Sequence, residues 1–212
     1  RLHAGAPSRM AAARQGARVM RRGYVCAMAI AVDLIVFAAI FPRSDLLIWN
    51  ASASAPIGLY RLRPTGDPPR ATLVAVMPPA GLADWLASRG YLPKDVPLLK
   101  HVAAKAGQTV CRTGTAITID KRMVGEARHL DSRGRMLPVW AGCRTLRPGE
   151  MFLMNADVPD SLDGRYFGPL PAETLLGKAV PLLTRDTPGG SLVWRGFGPK
   201  PSSCTVIDKD KP

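Results

Sequence analysis

Residues 96–104 read Val96-Pro97-Leu98-Leu99-Lys100-His101-Val102-Ala103-Ala104, and their alternation decides the fold class. In a strand alternate side chains share a face, so Val96, Leu98, Lys100, Val102 and Ala104 form one row and Leu99, His101 and Ala103 the other. One lysine therefore stands in an apolar row. Around this stretch the apolar runs are equally short and cut by turn residues, giving further candidate strands at 45–50, 58–63, 72–77, 109–112, 115–120, 151–155 and 178–184. Their order shows no βαβ rhythm. The one convincing soluble helix covers residues 80–89, with Leu82, Trp85 and Leu86 on one face and Gly90 as its stop. The reading is mainly β, and 20 Gly with 20 Pro in 212 residues agree by arguing against a helical bundle.

Towards the amino terminus the pattern changes. Residues 24–41, YVCAMAIAVDLIVFAAIF, carry Asp33 as their only charge, near the length that crosses a hydrocarbon core. Before them, residues 1–23 hold Arg1, Arg9, Arg14, Arg18, Arg21 and Arg22 and no acid, so nearly half of the +13 formal charge lies in one basic arm. By the positive-inside rule this predicts a single-pass anchor with a cytoplasmic amino terminus and everything from residue 43 onward outside. A cleaved signal peptide is the competing reading, as is an arm that binds nucleic acid or anionic lipid. The expected organisation is a basic arm over 1–23, a transmembrane helix over 24–41, an exported domain over 43–186 and a disordered tail over 187–212.

Of the four cysteines, Cys26 falls in the proposed span and Cys204 in the tail, which leaves Cys111 and Cys143 to bridge in an oxidising compartment or to remain two thiols. No C-x-x-C occurs and the three His are scattered, so no metal site or cofactor is expected. H-E-x-x-H and G-x-S-x-G are absent. Gly177-Lys178 fails as a phosphate loop because Ala172 stands where the first glycine is needed and Ala179 where a hydroxyl is needed. Asn50-Ala51-Ser52 is a formal glycosylation triplet of no weight.

Three segments carry candidate chemistry. In residues 50–60, NASASAPIGLY, Ser52 and Ser54 sit among small residues before Pro56 and Gly58, a tight turn able to aim hydroxyls and N–H groups at one point, or else a linker after the anchor. Lys100 in its apolar row is a candidate base, because desolvation disfavours the ammonium; the alternative is an edge lysine that snorkels to water. In 161–168, SLDGRYFG, Asp163 and Arg165 can pair on one side of an extended segment or mark a surface turn.

Together with GCRTLRPGEMFLMN (142–155) and the run PLLKHVAAKAGQTVC (97–111), these segments resemble the type I signal peptidase family, the membrane-bound Ser/Lys leader peptidases. The resemblance runs over about residues 20 to 183 and is nearest to the conjugative-transfer branch, the TraF-type pilin-processing peptidases. It implies a β domain of coiled antiparallel sheets, Ser54 as nucleophile, Lys100 as general base, an oxyanion hole from the Ser52 hydroxyl and Ser54 N–H, and Ser161 orienting Lys100. Asp163 and Arg165 are implied to hold that segment in place. Only Ala55 separates Ser54 from Pro56, as in the transfer branch, and Lys105-Ala106-Gly107 replaces the usual Leu-Pro-Gly. The implied partner is a membrane-tethered preprotein or prepilin at the bacterial inner membrane, with the catalytic domain periplasmic, lipid around the anchor, and no nucleic acid required. The sequence does not fix the oligomeric state. A non-enzymatic, membrane-anchored component of a secretion or conjugation apparatus is the competing function.

Overall fold

The computed structural model describes residues 23–36, 46–185, 187 and 189–196. The chain divides into two units, Arg1–Ser44 and Asp45–Pro212. In the first, residues 23–36 form helix α1, about 21 Å long at 1.5 Å per residue, with its large apolar side chains exposed on every side, Tyr24, Met28, Ile30 and Ile35 among them. No helix among the described residues is long and apolar enough to cross a membrane. The expected span ran on to Phe41, and residues 37–41, like most of the basic arm, lie outside the described residues.

The second unit is mainly β and every strand pair in it is antiparallel. Its strands are β1 (Leu46–Asn50), β2 (Gly58–Arg63), β3 (Leu73–Val76), β4 (Leu98–Lys105), β5 (Thr109–Thr113), β6 (Ala116–Ile119), β7 (Arg122–Glu126), β8 (Gly142–Thr145), β9 (Glu150–Met154), β10 (Leu170–Pro171), β11 (Leu175–Thr184) and β12 (Val193–Trp194). Helix α2 (Ala80–Ser88) follows β3, and the single turn α3 (Gly164–Phe167) follows β9. An eight-stranded sheet runs β1-β2-β11-β3-β4-β9-β10 with β12 on β11, and a four-stranded sheet runs β7-β6-β5-β8.

Alternation along β4 sorts its side chains as the sequence predicts. Leu98 and Val102 pack with Val74, Val76, Leu153 and Leu86 of α2, whereas Leu99, on the opposite face, packs with Ala55, Tyr60, Leu62 and Ala75 under the serine loop. Ala104 reaches a third cluster with Val110, Ile117 and Phe152, because the β4–β9 register shifts between Val102 and Ala104. Val96 and Pro97 lie before the strand, which starts at Leu98; Pro97 has no N–H for a ladder.

Other differences have local causes. β7 and β8, missing from the sequence reading, have little apolar alternation and are held by the ladder itself: RMVGE pairs with β6 and the exposed GCRT with β5. The β6–β7 turn is Asp120–Lys121 with φ of 50° and 67°, a hairpin geometry usually signalled by Asn-Gly or Asp-Gly. β12 lies inside the expected disordered tail, paired to β11 through Leu183 with Trp194 and Thr184 with Val193, after a turn closed from Gly190 N–H to Thr187 O. Residues 197–212 are outside the described residues.

Cys111 and Cys143 face each other across β5 and β8 and form a disulfide. For a loop of this length the chain-entropy model gives about 3 to 4 kcal/mol. It ties the four-stranded sheet at its outer edge.

Candidate active site

The turn after β1 is wired by one side chain. The Asn50 amide nitrogen donates to the carbonyls of Ser52 (2.9 Å), Ala55 (3.0 Å) and Pro56 (3.1 Å), and its Oδ1 accepts from the Ser52 N–H (3.0 Å). Buried and fully engaged, Asn50 is a structural clamp rather than a glycan acceptor. Tyr60 adds a bond from its hydroxyl to Pro56 O at 2.6 Å, and burial pushes its pKa up to about 12 despite the nearby Arg195 charge. The result presents Ser52 and Ser54 with their hydroxyls 2.9 Å apart, and the Ser54 N–H donates to Ser52 Oγ at 3.2 Å.

Lys100 arrives from β4. Its Nζ donates to Ser54 Oγ at 3.0 Å and to Ser161 Oγ at 2.8 Å, and the residue is only 2% exposed. Burial lowers the Lys100 pKa to about 8, opposed in part by the negative charge of Asp163 and helped by the positive charge of Arg165. The three groups expected to meet therefore do meet, although they come from three separated parts of the chain. A hydroxyl and an amine at this separation can exchange a proton directly.

His101 points the other way. Its N–H and its Nδ1 both contact Asn155 Oδ1, at 3.1 and 2.9 Å, and no hydrogen bond joins it to Ser54 among the described residues. Asn155 is thereby oriented: its Nδ2 donates to Ser54 O at 2.5 Å and to Leu99 O at 3.1 Å. This one buried amide joins the serine turn to the lysine strand.

Asp163 and Arg165 form a two-pronged ion pair, Nε to Oδ1 and Nη2 to Oδ2, each 2.9 Å, with side-chain exposures of 0% and 1%. The pair does more than neutralise itself. Asp163 Oδ2 accepts from the Asn155 N–H at 3.0 Å, Oδ1 from the Arg165 N–H at 3.2 Å, and Arg165 Nη2 reaches the carbonyls of Val158 (2.7 Å) and Ser161 (3.3 Å). The turn that carries Ser161 is thus hung on one guanidinium. Arg112, buried from the other sheet, donates to Arg165 O at 2.6 Å.

Sequence reasoning missed Asn50, Asn155 and Arg112. Asn50 was visible only as a chance glycosylation triplet, Arg112 as the end of a strand, and Asn155 only as the polar end of the apolar run MFLM, a stop that any strand shows.

A cleft of 710 Å³ is lined by residues 48–54 and 95–100 together with Leu86, Leu92 and Ser161. Among the described residues no group of three or more His, Cys, Asp or Glu could hold a metal ion.

A family model described as "Signal peptidase, peptidase S26" matches residues 19–183. The chain belongs to the signal peptidase family. Within it the chain is similar to the conjugal transfer protein TraF of Agrobacterium fabrum, 37% identical over 149 residues that cover 65% of this chain and 82% of the relative. A probable conjugal transfer protein TraF of Sinorhizobium fredii is 34% identical over 150 residues, covering 64% and 76%. A plasmid transfer protein TraF of Escherichia coli is 30% identical over 145 residues, covering 64% and 81%. A signal peptidase I from Enterococcus faecalis overlays with a TM-score of 0.32 at 18% identity, covering 53% of this chain and 96% of its own. Family membership makes this signal peptidase relative a leader-peptidase-like protein whose substrate class is a preprotein, and it places the serine turn, β4 and the 161–165 segment all within the matched region.

Proposed function

We propose that this chain is a membrane-anchored serine endopeptidase that removes leader peptides from exported proteins, a conjugative pilin subunit in particular, by Ser54/Lys100 acyl-enzyme chemistry. The observation that carries the reading is the 3.0 Å contact between a buried Lys100 amine and Ser54 Oγ. Neutral Lys100 takes the Ser54 proton as Oγ attacks the scissile carbonyl. The developing oxyanion accepts from the Ser54 N–H and the Ser52 hydroxyl, which are bonded to each other at 3.2 Å until the carbonyl oxygen displaces that contact. Lys100 then returns its proton to the leaving nitrogen, and water repeats the sequence on the acyl-enzyme. Ser161, accepting from Nζ at 2.8 Å, holds the amine on line. Asp163 stays paired with Arg165 and takes no proton.

The lowered pKa supplies the base. At the ordinary value of about 10.4 only about one lysine in 2,500 is neutral at pH 7, whereas at about 8 the fraction is about one in ten. Cleavage of a prepilin by the detergent-solubilised chain is therefore expected to rise with pH through about 8 and then level off, since deprotonation creates the active form. A rate level from about pH 6 to about pH 9 would contradict a lysine base.

We also infer that residues 24–41 span the inner membrane, with the basic arm in the cytoplasm and the domain over 43–186 in the periplasm. Support comes from the apolar run, interrupted only by Asp33, from the arginines that precede it, and from α1 exposing apolar side chains on all sides. With Ser54 about a dozen residues beyond the anchor, a substrate in the same membrane meets it at raised effective concentration. Reporters fused after residue 60 should be active only if they work in the periplasm; cytoplasmic activity would reverse the topology.

A further inference from the structure

A second cavity, of 280 Å³, opens on the other side of Ser54 and is lined by Ala53, Ser54, Asn155, Asp157, Arg185 and Thr187 among others. Ala53, Ser54 and Val158 belong to both cavities, so the two meet at the reactive serine. A peptide with one part in the 710 Å³ cleft directs its other part into the smaller space. The larger cleft suits the acyl side, where several residues must be gripped, which leaves the smaller cavity for the first residues of the leaving segment.

Arg185 is held at this place by the backbone. Gly58 has φ +148°, and a Cβ there would lie 2.0 Å from Leu183 O, so only glycine lets β11 close on the serine turn. The Arg185 N–H donates to Ile57 O at 2.9 Å, and the preceding Thr184, buried, accepts from Arg195 Nε at 3.1 Å. The guanidinium itself is unused: its Nε is buried without a hydrogen-bond partner, and none of its nitrogens has a hydrogen bond or ion pair among the described residues. A buried donor left unsatisfied costs free energy, and a guanidinium fork is matched by a carboxylate or by carbonyl oxygens. Asp157, exposed on the same rim, adds an acceptor for an N–H. Arg185 lies two positions past the segment that the family model matches, so family membership does not account for it.

We propose that this cavity is the subsite for the leaving segment and that Arg185 binds an acceptor oxygen in its first residues, a backbone carbonyl or an acidic side chain. The proposal rests on the peptidase reading of Ser54. The test compares substrates that share one acyl side: an aminocoumarin amide, which has no leaving peptide, and two peptides extended by Ala-Ala-Ala or Ala-Glu-Ala past the scissile bond. With the full chain, Arg185→Ala is expected to lower the ratio of kcat/KM for extended over truncated substrate by about tenfold or more. A fall shared by both peptides assigns the backbone carbonyl, and a fall confined to Ala-Glu-Ala assigns the acidic side chain; either supports the proposal. If Arg185→Ala does not fold, Arg185→Met keeps the apolar stem and removes only the donors. An unchanged ratio in a folded variant overturns the subsite while leaving the peptidase intact. Equal inactivity of wild type and Ser54→Ala on all three substrates overturns the peptidase reading, and the subsite with it.

Discussion

Lys100→Ala is expected to abolish cleavage, by at least about 10³-fold in kcat, and Ser54→Ala by at least as much, because in the proposed mechanism one is the proton acceptor and the other supplies the attacking atom. Neither loss should be recovered by raising substrate concentration, since both groups act on the reacting bond rather than on binding. His101→Ala should lose at least about a hundredfold less than Lys100→Ala. The reason is strand geometry: His101 is the next residue along β4, so its side chain leaves the opposite face and contacts Asn155 Oδ1. A shift of one residue in the register would have made this a Ser/His site. An inactive but folded His101→Ala, or an active Lys100→Ala, would overturn the assignment of the base. Single-turnover cleavage of a prepilin measures all three variants.

Asp163→Ala is expected to cost about 3–5 kcal/mol of folding stability, because it strands a guanidinium that is 1% exposed and removes the acceptor of the Asn155 N–H. The loss should appear as a lower urea midpoint with an unchanged slope, and activity should fall in step with the folded fraction. Arg165→Ala should cost a similar amount, since the carbonyls of Val158 and Ser161 lose their donor and the turn under Lys100 loses its hanger. Removing both together should cost less than the sum, as expected for groups in one network. A stable, well-folded Asp163→Ala whose chemistry alone has gone would mean that Asp163 acts on the reaction directly.

What could be read in the sequence, and what could not, follows from the range of each interaction. β4 was legible because alternation is local: Leu98, Lys100 and Val102 declare one face within five residues, and the structure packs Leu98 and Val102 in one cluster and buries Lys100. Cys111 and Cys143 could be paired by removing the other two cysteines from consideration. β7 and β8 were not legible, because RMVGE and GCRT owe their strand geometry to hydrogen bonds with β6 and β5 and not to burial of their own side chains. In the site, the motif segments pointed to the residues that meet at Ser54. The clamps escaped, since Asn50 and Asn155 act through carbonyl groups, and a side chain that binds backbone leaves no mark on the composition around its partners. Arg185 escaped for a related reason: its place is set by what Gly58 lacks.

The separations along the chain between the meeting groups have a consequence for when the protein can first act. Ser54 and Lys100 are 46 residues apart, Lys100 and Ser161 61 apart, and Asn155 reaches back 101 residues to Ser54. Non-local closures of this kind come late, after the loop-closure entropy of the intervening chain has been overcome. Until β3 and β11 bring β2 alongside β4, and β9 carries Asn155 to the turn, Lys100 remains a hydrated, protonated amine with no proton to accept. On the proposed function, a chain still emerging through the membrane is therefore a latent hydrolase. Completion of the eight-stranded sheet is then its activation step, and on that reading the newly made enzyme is spared from cutting itself or its neighbours during export.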